Sequence, residues 1–257
     1  MIRLEENAYK GYTLCKMQEC DFVFVKDFLD SQRSKLGNIE FFYPYKDDEL
    51  RAVLSCGYFL GLIDEDKLIA TFAVDSDEEY ASTLADLKNS FDGGNLQRAY
   101  ESSGLMVAEE YRGRGIAKFM MAKIMDYAKS LSIAICGVVH TRNVASMSTF
   151  FSFGFELRAV WHMSEGYDFV YLLYDEGNCE NNKENLKKVL HLGKNGVKIK
   201  NVEEISNTDV NKHTALLKDG YVGIGCTDTN ILFMKKELNY EQKSTYLRYR
   251  VKGRLLQ

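Results

Sequence analysis

The sequence has little of several residue types, and each shortage excludes a class of protein. It contains a single proline, Pro44, in 257 residues, which excludes a polyproline linker or a proline-rich ligand segment. No stretch approaches the roughly 18 apolar residues of a membrane-spanning helix, and residues 58–63 are among the longest apolar runs. The first residues lack the apolar stretch of a signal peptide, so we expect no export.

The cysteines and histidines of the chain do not follow a recognised redox or metal-binding motif. The six cysteines include no Cys-x-x-Cys pair, which favours reduced thiols and a cytoplasmic protein. The four histidines (140, 162, 191 and 213) lack the spacing of metal ligands, so we predict no metal site. The net charge of −4 gives no overall footprint for nucleic acid. Residues 245–254 alternate apolar and basic side chains, which indicates an edge strand more than a nucleic-acid contact.

Apolar residues make up 46% of the chain, enough for a substantial core in one large or two small domains. The composition changes after residue 175, because residues 175–188 contain only Cys179 and Leu186 as apolar residues. We therefore predict a first domain over residues 1–176, a linker over 177–188 and a small α+β domain over 189–257, with the start of an exposed helix as the alternative to the linker.

The first domain reads as alternating helices and strands. Asp21 can cap a helix, a second helix follows Pro44, and residues 58–63 and 68–74 form a hairpin pattern. The polar residues 76–96 interrupt this pattern and are predicted to form a helix-containing insertion or lid.

The last part of the chain repeats an earlier pattern. Residues 150–174 read as helix, Gly-Phe, strand, turn and strand, and residues 216–238 give the same order with Gly-Tyr. This succession is common, so a degenerate half-domain repeat and a chance likeness both remain open.

The strongest chemical signal is the segment from Leu105 to Lys118, in which an Arg/Gly loop joins a strand to a helix. Glycine lets backbone N–H groups approach a ligand, and a helix start carries unpaired donors and partial positive charge. Together they suit a pyrophosphate. The spacing matches neither a Walker A loop nor a dinucleotide fingerprint. The plainer alternative is a turn before a core helix.

The residues Arg112-Gly113-Arg114-Gly115-Ile116-Ala117 resemble the Arg/Gln-x-x-Gly-x-Gly/Ala signature of the GNAT N-acetyltransferase superfamily. The likeness extends in order over roughly residues 10–175, with Asn143 after the next strand and Gly154-Phe155 before the last hairpin. It implies an α/β fold with a mixed central sheet flanked by helices. The smaller C-terminal α+β part lies outside the common family core.

The resemblance implies acetyl-CoA as the co-substrate. Backbone amides of residues 114–118 would hold the pyrophosphate, Met106 and Val107 would pair with the pantetheine arm, and the Val107 N–H would serve as the oxyanion donor. Asn143 and Ser146 would lie beside the pantetheine. The implied coenzyme-binding residues are Met106, Val107, Arg112, Gly113, Arg114, Gly115, Ile116, Ala117, Lys118, Asn143 and Ser146.

Attack on a thioester requires a neutral amine, and therefore a base. Glu101 stands where some family members carry a catalytic glutamate, although a solvated glutamate at a strand edge is an equal alternative. The family commonly has a tyrosine seven residues after Asn143, and this chain has Phe150 there. His140 is a candidate proton relay, against the commoner role of a structural histidine.

These observations predict an N-acetyltransferase that uses direct attack by an amine, of a small molecule or a peptide, in a ternary complex. The acidic residues at positions 75 and 77–79 either attract a cationic amine or form a solvated loop. The alternative function is a non-catalytic, coenzyme A-binding regulatory module, which the phenylalanine at position 150 motivates. Homo-oligomers are compatible with either function.

Overall fold

The computed structural model describes residues 1–75, 99–162, 168–174, 176–194 and 201–236. The insertion predicted at 76–96 and the edge strand predicted at 245–254 lie outside these residues. The helices are α1 (Phe22–Ser34), α2 (Asp47–Cys56), α3 (Ile116–Leu131), α4 (Val144–Ser152), α5 (Glu176–Lys194) and α6 (Val210–Lys218). The strands are β1 (Ile2–Tyr9), β2 (Tyr12–Lys16), β3 (Tyr58–Asp64), β4 (Lys67–Asp75), β5 (Ala99–Val107), β6 (Ala134–His140), β7 (Glu156–His162), β8 (Asp168–Tyr174), β9 (Val202–Ser206), β10 (Tyr221–Cys226) and β11 (Asn230–Lys235).

The described strands form one mixed sheet in the order β1-β2-β3-β4-β5-β6-β8-β7-β10-β11-β9. Neighbouring strands run antiparallel except β5 and β6, which run parallel because α3 forms the crossover between them. A mixed sheet flanked by helices confirms the predicted α/β fold class.

Helices cover both faces of the first part of the sheet. On α3, the apolar side chains recur at helical spacing, and Ile116, Met120 and Ile124 are almost completely buried. They pack, together with α4, on one face. On the other face, α1 and α2 cover the strands up to β5. The strands β6, β8 and β7 carry a separate small cluster on that second face, formed by Cys136, Tyr171 and Leu173.

Of the two alternatives for residues 177–188, a linker or the start of an exposed helix, the structure has the helix, because this segment lies within α5. Asn182, Leu186 and Val189 fall at helical spacing, and their side chains pack against neighbouring residues. The Asn182 amide donates a hydrogen bond to the Gly154 carbonyl (3.1 Å). A helix with so few apolar positions has a linker-like composition, although those few suffice to dock it.

The described C-terminal residues, 201–236, join the first sheet and do not build a separate one. Strand β10 pairs antiparallel with β7, where Gly223 stands opposite Leu157, so the first sheet continues through β10, β11 and β9. Ile231 and Phe233 belong to the same hydrophobic cluster as the residues of α3 and α4. The core therefore extends across the expected domain boundary.

The geometry favours the half-domain repeat. We call β6, α4, β7 and β8 the first unit, and β9, α6, β10 and β11 the second unit. Counterparts lie 66 positions apart: Asn143 and Asp209 cap helices of nine residues each, and Leu157 and Gly223 each precede a bulge. Because Leu157 and Gly223 also pair with each other, the two units meet about a local twofold axis.

Candidate active site

A cavity of about 890 Å³ lies between the helix start of α3, the C-terminal half of β5, and the first turns of α4. It extends over the face of β6, β8 and β7 that carries Tyr171. Among its lining residues are Glu101, Met106, Val107, Arg112, Gly113, Gly115, Ile116, Ala117, Lys118, Asn143 and Ser146. The structure thus brings together every site residue expected from the sequence except Arg114.

The cavity exists because β5 and β6 separate. The pairing runs from Ala99 opposite Ala134 to Ser102 opposite Gly137. Beyond that point the residues of β5 and β6 do not pair with each other. Next comes Gly104, whose φ of +65° belongs to the left-handed region, at an irregularity in the pairing of β4 with β5. The bulge lets the rest of β5 leave β6, which opens a wedge with backbone groups along its side.

Val107 directs its backbone into this wedge. The Ala108 N–H donates to the Ile69 carbonyl of β4 (2.8 Å), so the preceding N–H, that of Val107, points the opposite way. The Val107 carbonyl accepts a hydrogen bond from Arg112 Nε (3.2 Å). By the same alternation Met106 turns its backbone toward Thr71 on β4. Met106 still lines the cavity, and its pairing with a ligand stays a prediction.

The loop before α3 has the properties of an anion site. Gly113 and Gly115 adopt φ values of +73° and +82°, and Gly115 is the N-cap of the helix. The first intrahelical bond runs from the Phe119 N–H, which leaves the N–H groups of Ile116, Ala117 and Lys118 available for a ligand. A Cβ on Gly115 would lie 2.7 Å from the Tyr9 hydroxyl, so this position requires glycine.

The strand β1 supports this loop from behind, which sequence reasoning missed. The Tyr9 hydroxyl and the Lys10 ammonium both donate to the Arg114 carbonyl (2.8 and 3.1 Å). The Tyr9 ring stacks on Phe119 of α3 with centroids 4.8 Å apart. Because β1 is mostly polar and exposed, its sequence carries no apolar alternation that would reveal this role.

The two arginines of the loop differ. Arg112 lines the cavity, whereas the Arg114 guanidinium donates to the Glu110 carbonyl (2.8 Å) and lies over the Tyr111 ring. Arg114 therefore holds the loop in place, through its guanidinium and through its carbonyl, and does not line the cavity.

Asn143 and Ser146 are joined at the start of α4. The Asn143 side-chain oxygen accepts from the Ser146 N–H (3.2 Å), and its amide donates to the Phe41 carbonyl (3.4 Å). Asn143 thus caps the helix and also holds the loop around Phe41 over the cavity.

Glu101 lies deep in the cavity, on β5, with Asp75 of β4 as its cross-strand partner. Burial, and secondarily the nearby Asp75 carboxylate, raise the pKa of Glu101 to about 7. A carboxylate with this pKa exchanges protons near neutral pH, which suits a general base.

His140 and Phe150 also line the cavity. The His140 Nδ1 accepts from the Arg142 N–H (3.1 Å), and burial, followed by the Arg142 charge, lowers the pKa of this imidazole. At neutral pH His140 is therefore uncharged. The Phe150 ring packs over Gly137, where an added Cβ would come within 2.3 Å of the ring. Phe150 therefore fills this space with a ring that has no hydroxyl group.

The sequence alone does not predict the aromatic part of the cavity. Phe41 and Phe42 come from the loop before α2, and Trp161, Phe169 and Tyr171 from the hairpin of β7 and β8. Only the pairing register of distant strands brings these side chains together. Asp75 also lies on the cavity wall, whereas the acidic positions 77–79 fall outside the described residues.

Comparison with known proteins agrees with this geometry. Residues 23–155 match the family model "Acetyltransferase (GNAT) family". The fold is similar to that of Arabidopsis thaliana NAA60 in complex with acetyl-CoA, with 14% identity, a TM-score of 0.50, and coverage of 65% of this chain and 99% of that one. An N-acetyltransferase of Staphylococcus aureus gives 14% identity, a TM-score of 0.49, and coverage of 64% and 97%. No curated protein sequence matches the chain.

The family match spans more than half of the chain. The protein therefore belongs to the acetyltransferase (GNAT) family, a family of acyltransferases. Within the described ranges, no helix is long and apolar enough to cross a membrane. The same residues contain no cluster of three or more His, Cys, Asp or Glu side chains suited to a metal ion.

Proposed function

We propose that the protein transfers the acetyl group of acetyl-CoA to an amine by direct attack in a ternary complex. The acceptor is an amine of a small molecule or a peptide. One observation carries this proposal: a single cavity joins the anion-binding helix start, the open edge of β5, and the buried carboxylate of Glu101. The helix start would bind the phosphates, the edge of β5 would bind the thioester arm, and Glu101 would act as the base.

The residues present fit acetyl-CoA. The glycines at 113 and 115 leave the backbone donors of α3 accessible, and the wedge between β5 and β6 offers an edge along which an extended arm can lie. Arg112 and Lys118 add positive charge at the same end. When bound, acetyl-CoA supplies an acetyl group activated as a thioester.

Glu101 and Val107 would divide the chemistry. Glu101 accepts the proton of the ammonium group, so that the nitrogen carries a free lone pair. The nitrogen would then attack the thioester carbonyl carbon. As the C–N bond forms and the C–S bond breaks, the electron pair of the C–S bond would leave on sulfur, and the second proton lost by the nitrogen would pass to the thiolate or to solvent. The Val107 N–H stabilises the negative charge that develops on the carbonyl oxygen.

Phe150 leaves the departing sulfur without the phenol that the family commonly supplies. A thiol with a pKa of about 8.5 leaves tolerably well as an anion, so this proposal does not require a proton donor there. The same residue motivates the alternative, a non-catalytic module that binds coenzyme A. Residues 1–176 contain the whole described cavity lining, and we propose that they carry the activity inside the cytoplasm.

The deciding experiment measures release of free thiol from acetyl-CoA with a panel of amines, alongside calorimetric binding of coenzyme A. We expect binding, and thiol release that depends on the amine. Binding without amine-dependent release would support the regulatory module instead. Absence of binding would contradict both functions.

A further inference from the structure

The pairing register places one row of aromatic side chains across three strands. His140 of β6 stands opposite Phe169 of β8, which stands opposite Trp161 of β7. Because side chains alternate between faces, residues two positions away lie on the same face. The next row on that face accordingly contains Val138 and Tyr171.

The rings of these rows touch one another. Ring centroids are 5.4 Å apart for His140 and Phe169, 6.0 Å for Trp161 and Phe169, and 6.3 Å for Trp161 and Tyr171. Phe41, from the loop above, continues the series at 5.5 Å from His140. We call these five residues the aromatic wall, and all of them line the cavity.

The aromatic wall adjoins acidic side chains. The row of β5 on the same face carries Glu101, with Asp75 beside it on β4. The basic side chains of the cavity lining, Arg112 and Lys118, belong to the opposite end, where the helix α3 starts. A molecule that lies on the wall therefore meets rings along its body and carboxylates at its end.

The wall also leaves apolar surface facing solvent. Trp161 is 43% exposed, and Tyr43, which lines the same cavity, is 71% exposed. Indole and phenol rings favour flat apolar partners and cations. A small aliphatic amine would leave both rings uncovered.

We propose that the acceptor is a cationic primary amine attached to a flat apolar group, such as an aromatic ring two or three bonds from the amino group. The apolar group lies against the aromatic wall, and the ammonium group points to Glu101 and Asp75. This substrate class rests on the acetyl-transfer function proposed above. Trp161 is then a residue that determines specificity and takes no part in bond making.

The test compares kcat/KM for 2-phenylethylamine and tryptamine with that for n-butylamine and spermidine. Burial of one ring against the wall should favour the aromatic amines at least tenfold. Trp161→Ala should raise KM for the aromatic amines about tenfold and leave n-butylamine nearly unchanged. Trp161→Phe keeps a ring and should retain most of the preference. Val23→Ala, at an exposed position of α1 outside the cavity lining, is the control.

Each outcome has a distinct meaning. Preference for spermidine or n-butylamine, or an aromatic preference that survives Trp161→Ala, would overturn the substrate class and leave acetyl transfer to amines standing. Absence of thiol release with all four amines would also overturn the substrate class. Absence of release with the whole amine panel, peptides included, although coenzyme A binds, would overturn the proposed function as well.

Discussion

The first and second units share a fold, but only the first lines the cavity. Both begin with a strand, cap a nine-residue helix with an Asn or Asp side chain, turn at a glycine with φ above +80°, and close with a bulged hairpin. The second unit has Ser206 where the first has His140, and Thr227 where the first has Trp161. The scaffold is repeated without its functional side chains.

The neighbours of the two units differ as well. In the first unit, β6 lies beside β5, and the loop before α3 approaches the start of α4. In the second unit, β9 ends the described sheet, and no Arg-x-x-Gly-x-Ala loop precedes it. The comparison teaches that the cavity comes from the junction of a unit with β5 and α3, and not from the unit itself.

We expect the largest effect from a substitution at Gly115, in that junction, compared with the same substitution at Gly220 of the second unit. Gly115→Asp places a carboxylate at the anion-binding helix start, and we expect coenzyme A affinity to fall by 10²-fold or more. Gly220→Asp controls for the left-handed backbone, because its φ of +83° equals that of Gly115 within a degree and it lies outside the cavity lining, and Gly115→Ala controls for the contact with the Tyr9 hydroxyl. Equal affinities of the two aspartate variants by calorimetry would contradict the phosphate site.

The second prediction concerns the base. Glu101→Gln should lower the rate of thiol release at pH 7 by about 10²-fold, with partial recovery at high pH, where the free amine is abundant. For the parent protein, kcat/KM should rise with pH through about 7, because the carboxylate form is the base. Glu203→Gln, an exposed carboxylate of the second unit, should change neither. A pH profile that is the same in both variants would remove Glu101 from the mechanism.

The third prediction tests the contact between the units. A Cβ at Gly223 would lie 2.7 Å from the Leu157 Cβ, so Gly223→Val forces β7 and β10 apart. We expect a loss of 2–3 kcal/mol or more in the free energy of unfolding, on the order of other overpacked cores. Gly37→Val, where the added side chain meets open space, controls for the change of residue type. Equal stability of both variants would mean that the second unit is a passive appendage.

The raised pKa of Glu101 also predicts that this residue lowers the free energy of unfolding of the protein as pH rises. We expect no such effect from the second unit. The raised pKa means that the folded state keeps a proton which the unfolded chain loses above its ordinary pKa, so stability falls as pH rises toward about 7. At pH 8, the free energy of unfolding of the Glu101→Gln variant should therefore be on the order of 2 kcal/mol higher than that of the parent protein. Denaturant titrations at pH 5 and pH 8 measure this, and a gain that does not grow with pH would contradict it.

Local signals explain what the sequence could predict. The loop and the apolar stripe of α3 lie within consecutive residues, so their pattern indicates both the helix and the anion site. The aromatic wall depends on register: residues 140, 161 and 169 become neighbours only through two strand pairings. The polar sequence of α5 left a linker and an exposed helix start open, because it contains too few apolar residues to decide between them. The support of the loop by Tyr9 joins residues about a hundred positions apart, so no local pattern predicts it.

The smallest expected effect compares the two helix caps. The Asn143 side chain accepts from the Ser146 N–H, and the Asp209 side chain accepts from the Lys212 N–H, each at 3.2 Å. Replacing either with alanine removes one cap, so Asn143→Ala and Asp209→Ala should each cost about 1 kcal/mol of stability. Only Asn143 lines the cavity and holds the Phe41 carbonyl, so only its variant should weaken binding of coenzyme A, by several-fold. Calorimetry and thermal unfolding on the same samples separate the two effects, and an equal loss of affinity in both variants would show that the cap stabilises the fold without contributing to the site.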